Sequence, residues 1–65
     1  MADLRFTINM TCENAAFEDN PQGEVSRILR RIADFLEFNN IEPTWHTILD
    51  INGNDVGRWK LGEDR

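Results

Sequence analysis

Cysteine is nearly missing from this chain of 65 residues, where Cys12 stands alone. An internal disulfide is thereby excluded, and no Cys/His cluster has zinc spacing. Tyrosine is absent, and histidine occurs once, at His46. Apolar runs extend only a few residues, too short to span a bilayer. With no leader-like segment and a free thiol, the expected compartment is a reducing cytoplasm. Positive charge is scarce as well: seven Lys and Arg stand against twelve Asp and Glu, a net charge of −5. Nucleic acid and anionic membranes are expected to repel such a chain, because binding phosphate requires cations that displace its counterions. Charge of this sign either selects a basic partner or keeps a small protein soluble. A chain this short buries only about 60% of its unfolded surface, so a single marginally stable domain over residues 1–65 is expected.

What is present begins with LRFTINMTC, residues 4–12. Leu4, Phe6, Ile8, Met10 and Cys12 alternate with Arg5, Thr7, Asn9 and Thr11, which predicts a strand with one buried and one wet face. Then comes CENAAFEDNPQGE, residues 12–24, with Glu13, Glu18, Asp19 and Glu24 and no cation. It reads as an acidic connector that ends on a helix start signal. Asn20 suits the N-cap, Pro21 the first helical position and Glu24 the first turn, where the helix dipole favours carboxylate. Val25, Ile28, Leu29, Ile32, Ala33, Phe35 and Leu36 trace an apolar stripe at helical spacing. The predicted helix runs from Pro21 to Phe38, and Asn39 and Asn40 suit a left-handed ending.

WHTILDINGNDVGRWKL then reads as a hairpin. Trp45, Leu49, Ile51, Gly57, Trp59 and Leu61 are all odd-numbered. A three-residue loop over Asn52 to Asn54 would pair Leu49 with Gly57 and Thr47 with Trp59, placing the two sets Trp45, Leu49, Ile51 and Gly57, Trp59, Leu61 on one inner face. Gly53 or Asn54 would supply the positive φ. The element order β-α-β-β predicts an α+β fold with one helix on a three-stranded sheet. A right-handed crossover makes the second strand parallel to the first, and the third strand is placed between them. The uncovered face would carry Arg5, Thr7, Asn9, Thr11, Thr47, Asp50 and Arg58. The tail GEDR is expected to fray.

Catalytic signatures are not found. His46 falls opposite Leu49 and Ile51 and is expected on the wet face, without an orienting acid. Cys12 continues the inner row of the first strand and reads as a small buried apolar residue. DINGND, residues 50–55, has its glycine fourth rather than sixth, so a turn explains it better than a calcium loop. No glycine loop cradles phosphate. The expectation is a non-enzymatic binding module with no cofactor and no metal. Phe17 either folds back over a core edge or stands exposed. If exposed, an aromatic ringed by Glu13, Glu18, Asp19 and Glu24 would make a hot spot against a basic groove.

NAAFEDNPQGEVSRILRRIADFLE followed by LDINGNDVG resembles a pattern in short proteins encoded by phages and prophages. The similarity spans residues 4–61. Within that group the sequence is most similar to small anti-CRISPR proteins directed at type I systems, specifically type I-C. The resemblance implies an inhibitor of a Cascade subunit, whose Lys- and Arg-lined channel grips DNA and could be occupied by a compact anion instead. The expected partner-binding residues are Glu13, Phe17, Glu18, Asp19 and Glu24 of the connector, with Asp50 and Asp55 of the hairpin. Asp50, Asp55, Glu63 and Asp64 form a second acidic set, diluted by Arg58 and Lys60. The partner would be a host protein, with no direct nucleic acid and no membrane, and the chain a monomer or homodimer. The alternative is a phage-encoded adaptor that binds another host protein through an apolar or polar-sheet surface.

Overall fold

The computed structural model describes residues 4–63. Strand β1 spans Leu4–Met10 and is followed by a single 3-10 turn, Ala15–Phe17. Helix α1 spans Pro21–Phe38, and strands β2 and β3 span His46–Leu49 and Asp55–Glu63. The helix packs with a three-stranded sheet of order β1-β3-β2. Strand β3 is central and antiparallel to both neighbours, so β1 and β2 run parallel to each other.

The helix starts where its capping residues dictate. The Asn20 side chain accepts from Gly23 N at 3.1 Å, and Pro21 occupies the first helical position. The C-terminus departs from expectation, because Asn39 is extended there (φ −134, ψ 154). Its side-chain amide donates to Phe35 O at 3.0 Å, so a side chain rather than a left-handed residue satisfies that carbonyl. Of the apolar stripe, Ile28 and Ile32 are buried, Val25 and Leu36 are half-buried, and Leu29, Ala33 and Phe35 are exposed. Phe17, Ile48, Val56 and Trp59 complete the core.

The hairpin corrects the expected register. The loop is closed by Asp50 N donating to Asn54 O at 2.9 Å, with Gly53 at φ +84. A shift between Ile48 and Leu49 then changes the pairing: Leu49 faces Asp55 but Ile48 faces Gly57 and His46 faces Trp59. Val56 is the extra residue on β3, and one extra residue exchanges the two faces of β2. Ile48 therefore enters the core, while Leu49 is 53% and Ile51 65% exposed. His46 lies on the helix side, not the wet side, with its ring stacked on Trp59 at a centroid distance of 4.3 Å. Gly57 is required where β1 meets the bulge, since a Cβ there would collide with Asn9 O and lie 2.6 Å from Met10 Cα.

Strand β1 has the expected alternation but less cover. Leu4 and Phe6 are exposed, as is Cys12, which lies beyond the strand rather than in the core. Of the tail expected to fray, Gly62 and Glu63 belong to β3. Asp64 and Arg65 lie outside the described residues.

Candidate functional site

Three elements converge at one end of the molecule. Strand β1 delivers the connector there, because Thr11 N donates to Val56 O at 2.8 Å beyond the last paired residue. The 3-10 turn folds Phe17 into the core, where it is 3% exposed. Asn14 then reaches across the fold, its side-chain amide donating to Asp50 Oδ2 at 3.2 Å. From the helix, Glu24 Oε2 accepts from Ile51 N at 2.9 Å. The connector, the start of α1 and the β2–β3 loop are thereby tied together.

Two carboxylates make those ties and are not displayed. Asp50 is 4% exposed and Oδ1 accepts from Asn52 N and Asn54 N, both at 2.9 Å. Oδ2 accepts from the Asn54 and Asn14 amides. The backbone N–H of Asn54, followed by the amides of Asn14 and Asn54 and the N–H of Asn52, holds the Asp50 carboxyl below its ordinary range against the opposing effect of burial. Glu24 is 7% exposed and forms a two-pronged pair with Arg27, at 2.8 and 3.0 Å. The guanidinium of Arg27 lowers the Glu24 pKa most, and the Ile51 N–H adds to this despite burial. Arg27 is raised in turn by Glu24.

The expected contact set is corrected accordingly. Phe17, Glu24 and Asp50 are occupied inside the fold, so none is presented as a surface contact. Glu13, Glu18, Asp19 and Asp55 are exposed. Arg27, on the first turns of α1, is taken up by Glu24. The first and second acidic sets thus share one end of the molecule, apart from Glu63 at the far end of β3 and Asp64 outside the described residues. Asp55 Oδ1 accepts from Gly57 N at 3.1 Å, which keeps it on the strand.

The expected polar sheet face gains an aromatic, and a groove that the sequence reading missed opens on the other side. The outward face of the sheet carries Arg58 and Lys60, each 5.6 Å from the centre of the Trp45 ring. A groove of 440 Å³ runs between α1 and β2, floored by Ile28, Ile32, Ile48 and Trp59. The bulge at Val56 is what brings Trp45 to the outward face and Ile48 to the groove, whereas Arg58 and Lys60 are outward through the uninterrupted β1–β3 register. No pattern within β2 or β3 marks that bulge, although a Gly57 beside a valine is a site where one is accommodated. Among the described residues, no group of three or more His, Cys, Asp or Glu could hold a metal ion. Among them too, no helix is long and apolar enough to cross a membrane. Neither a protein family, nor a curated protein, nor a solved structure matches this chain.

Proposed function

We propose that this chain is a non-enzymatic inhibitor that presents its acidic end to a basic nucleic-acid-binding groove. Following the resemblance, that groove belongs to a type I Cascade subunit, and the inhibitor is a phage-encoded anti-CRISPR acting as a DNA mimic. One observation carries the reading: the Asn14–Asp50 and Glu24–Ile51 hydrogen bonds fix the connector against the loop. Carboxylates on a fixed scaffold lose little entropy on docking, which favours them over the same charges on a free loop. Glu13, Glu18, Asp19 and Asp55 supply the charge, and the buried carboxylates supply the rigidity.

The test is a pull-down of purified protein against type I Cascade subunits, with competing duplex DNA and a salt series. Capture is expected to weaken steeply as salt rises and to be displaced by DNA. Reversing Glu18 and Asp19 to Lys should abolish it while the fold persists. Absence of capture by every subunit overturns the reading. A second reading, an adaptor for another host protein, draws on the apolar groove between α1 and β2. Capture through that groove would be nearly independent of salt and sensitive to a Phe35→Ala change instead.

A further inference from the structure

The net charge of −5 is a sum over surfaces of opposite character. Strand alternation and the register place Arg5, Thr7 and Asn9 of β1 outward, beside Lys60 and Arg58 of β3 and Thr47 of β2. Opposite Lys60 stands Thr7, and opposite Arg58 stand Asn9 on one side and Thr47 on the other. The helix lies on the other side of the sheet, so this face is uncovered. Trp45 borders it and is 47% exposed, with both cations over its ring. Neither Arg58 nor Lys60 forms a salt bridge with a carboxylate among the described residues.

We infer that this face binds single-stranded nucleic acid, with Arg58 and Lys60 on the phosphates and Trp45 as a stacking platform. Charge complementarity selects an anion, since the paired outward positions hold cations and neutral polar groups back to Asp55 at the start of β3. The ring selects among anions. An exposed indole beside two cations offers a π-face to an unpaired base while the cations take the adjoining phosphates. Thr7, Asn9 and Thr47 add donors and acceptors for base edges or sugar hydroxyls. Duplex suits the face less, because its bases are stacked and withdrawn from Trp45.

The nearest acids along β3 weaken this field without cancelling it. Arg58 lies three residues from Asp55 and Lys60 three from Glu63, about 10 Å each at ~3.4 Å per residue. The Debye length at physiological salt is about 8 Å, so each acid sits beyond one screening length from its neighbouring cation. Total charge therefore slows long-range encounter without forbidding local contact.

The experiment is a titration of the intact chain with an unstructured single-stranded oligonucleotide, followed by calorimetry and by amide NMR shifts. Binding is expected at concentrations up to about 100 µM, the weak end of non-specific nucleic-acid affinity. Shifts should fall on β1, β3 and the residues around Trp45, not on Glu18 and Asp19. Neutralising Arg58→Gln or Lys60→Gln should each flatten the logarithmic salt slope by about 0.7. A Trp45→Ala change should weaken binding about tenfold, and Trp45→Phe should restore most of it. All three side chains are outward, so the variants keep the fold, which the NMR spectrum verifies. No binding in low salt overturns the inference. So does equal binding by the Arg58→Gln/Lys60→Gln double variant, or tighter binding to polyglutamate or phosphatidylserine vesicles than to the oligonucleotide. Because Glu18→Lys/Asp19→Lys leaves this face untouched, the inhibitor reading and this one fail separately.

Discussion

At the scale of single residues, carboxylates divide into those that hold the fold and those that face solvent. The sequence DINGN makes a turn legible, because Asp and Asn cap their own backbone two residues on. That Asp50 would also reach Asn14, 36 positions away, is not legible, because nothing local encodes a long-range partner. Depressed carboxyl pKa values have a definite sign. Asp50 and Glu24 contribute stability that is present above their unfolded pKa, near 4, and lost as pH falls through the lower folded values. Thermal unfolding midpoints should therefore hold from neutral pH to about 5 and decline below about 4. Asp50→Asn should lower the midpoint at neutral pH and flatten that acid decline; an unchanged decline would refute the role. Gly57 gives a second residue-level prediction. A Cβ there meets the backbone of β1 rather than a movable side chain. Gly57→Ala should cost at the upper end of about 1–3 kcal/mol, read as a lower urea midpoint.

At the scale of elements, the helix was readable, and the hairpin was readable in its turn but not in its register. Asn20, Pro21 and a stripe at 3.6-residue spacing define α1 from both local chemistry and period. The hairpin register rests on period alone, and period 2 has no tolerance for one extra residue. Odd-numbered Trp45, Leu49 and Ile51 imitate an inner face, yet the Val56 bulge hands that face to His46 and Ile48. Paired substitutions test this assignment. Ile48→Ala should cost about 2–4 kcal/mol by chemical denaturation, whereas Leu49→Ala should stay within about 0.5 kcal/mol. Equal effects would restore the uninterrupted register. Within the loop, Gly53 has space for a Cβ but a φ of +84. Gly53→Ala is thus expected to cost about 1 kcal/mol through backbone strain alone.

At the scale of the whole molecule, the fold class followed from element order, while the charge distribution did not. A sequence counts charges without placing them. Here placement separates Glu13, Glu18, Asp19 and Asp55 at one end from Arg58 and Lys60 on the open sheet. Size sets the margin for all of this. At about 0.05–0.15 kcal/mol per residue, 65 residues carry roughly 3–10 kcal/mol of stability. Trp59 is the largest member of the core, and replacing it with Ala costs about 3–5 kcal/mol. Trp59→Ala should accordingly abolish or nearly abolish the cooperative transition seen by circular dichroism. Survival of a wild-type transition would show that the helix and sheet do not depend on that ring.

The two tryptophans sit in opposite surroundings, and with no tyrosine they account for nearly all the ultraviolet emission of the chain. Iodide, drawn in by Arg58 and Lys60, should quench Trp45 in the native protein more strongly than neutral acrylamide does. Trp59, enclosed beneath the helix and under His46, should remain dark to both quenchers until the chain unfolds. A single unlabelled sample thus reports contact at the sheet through one indole and integrity of the fold through the other.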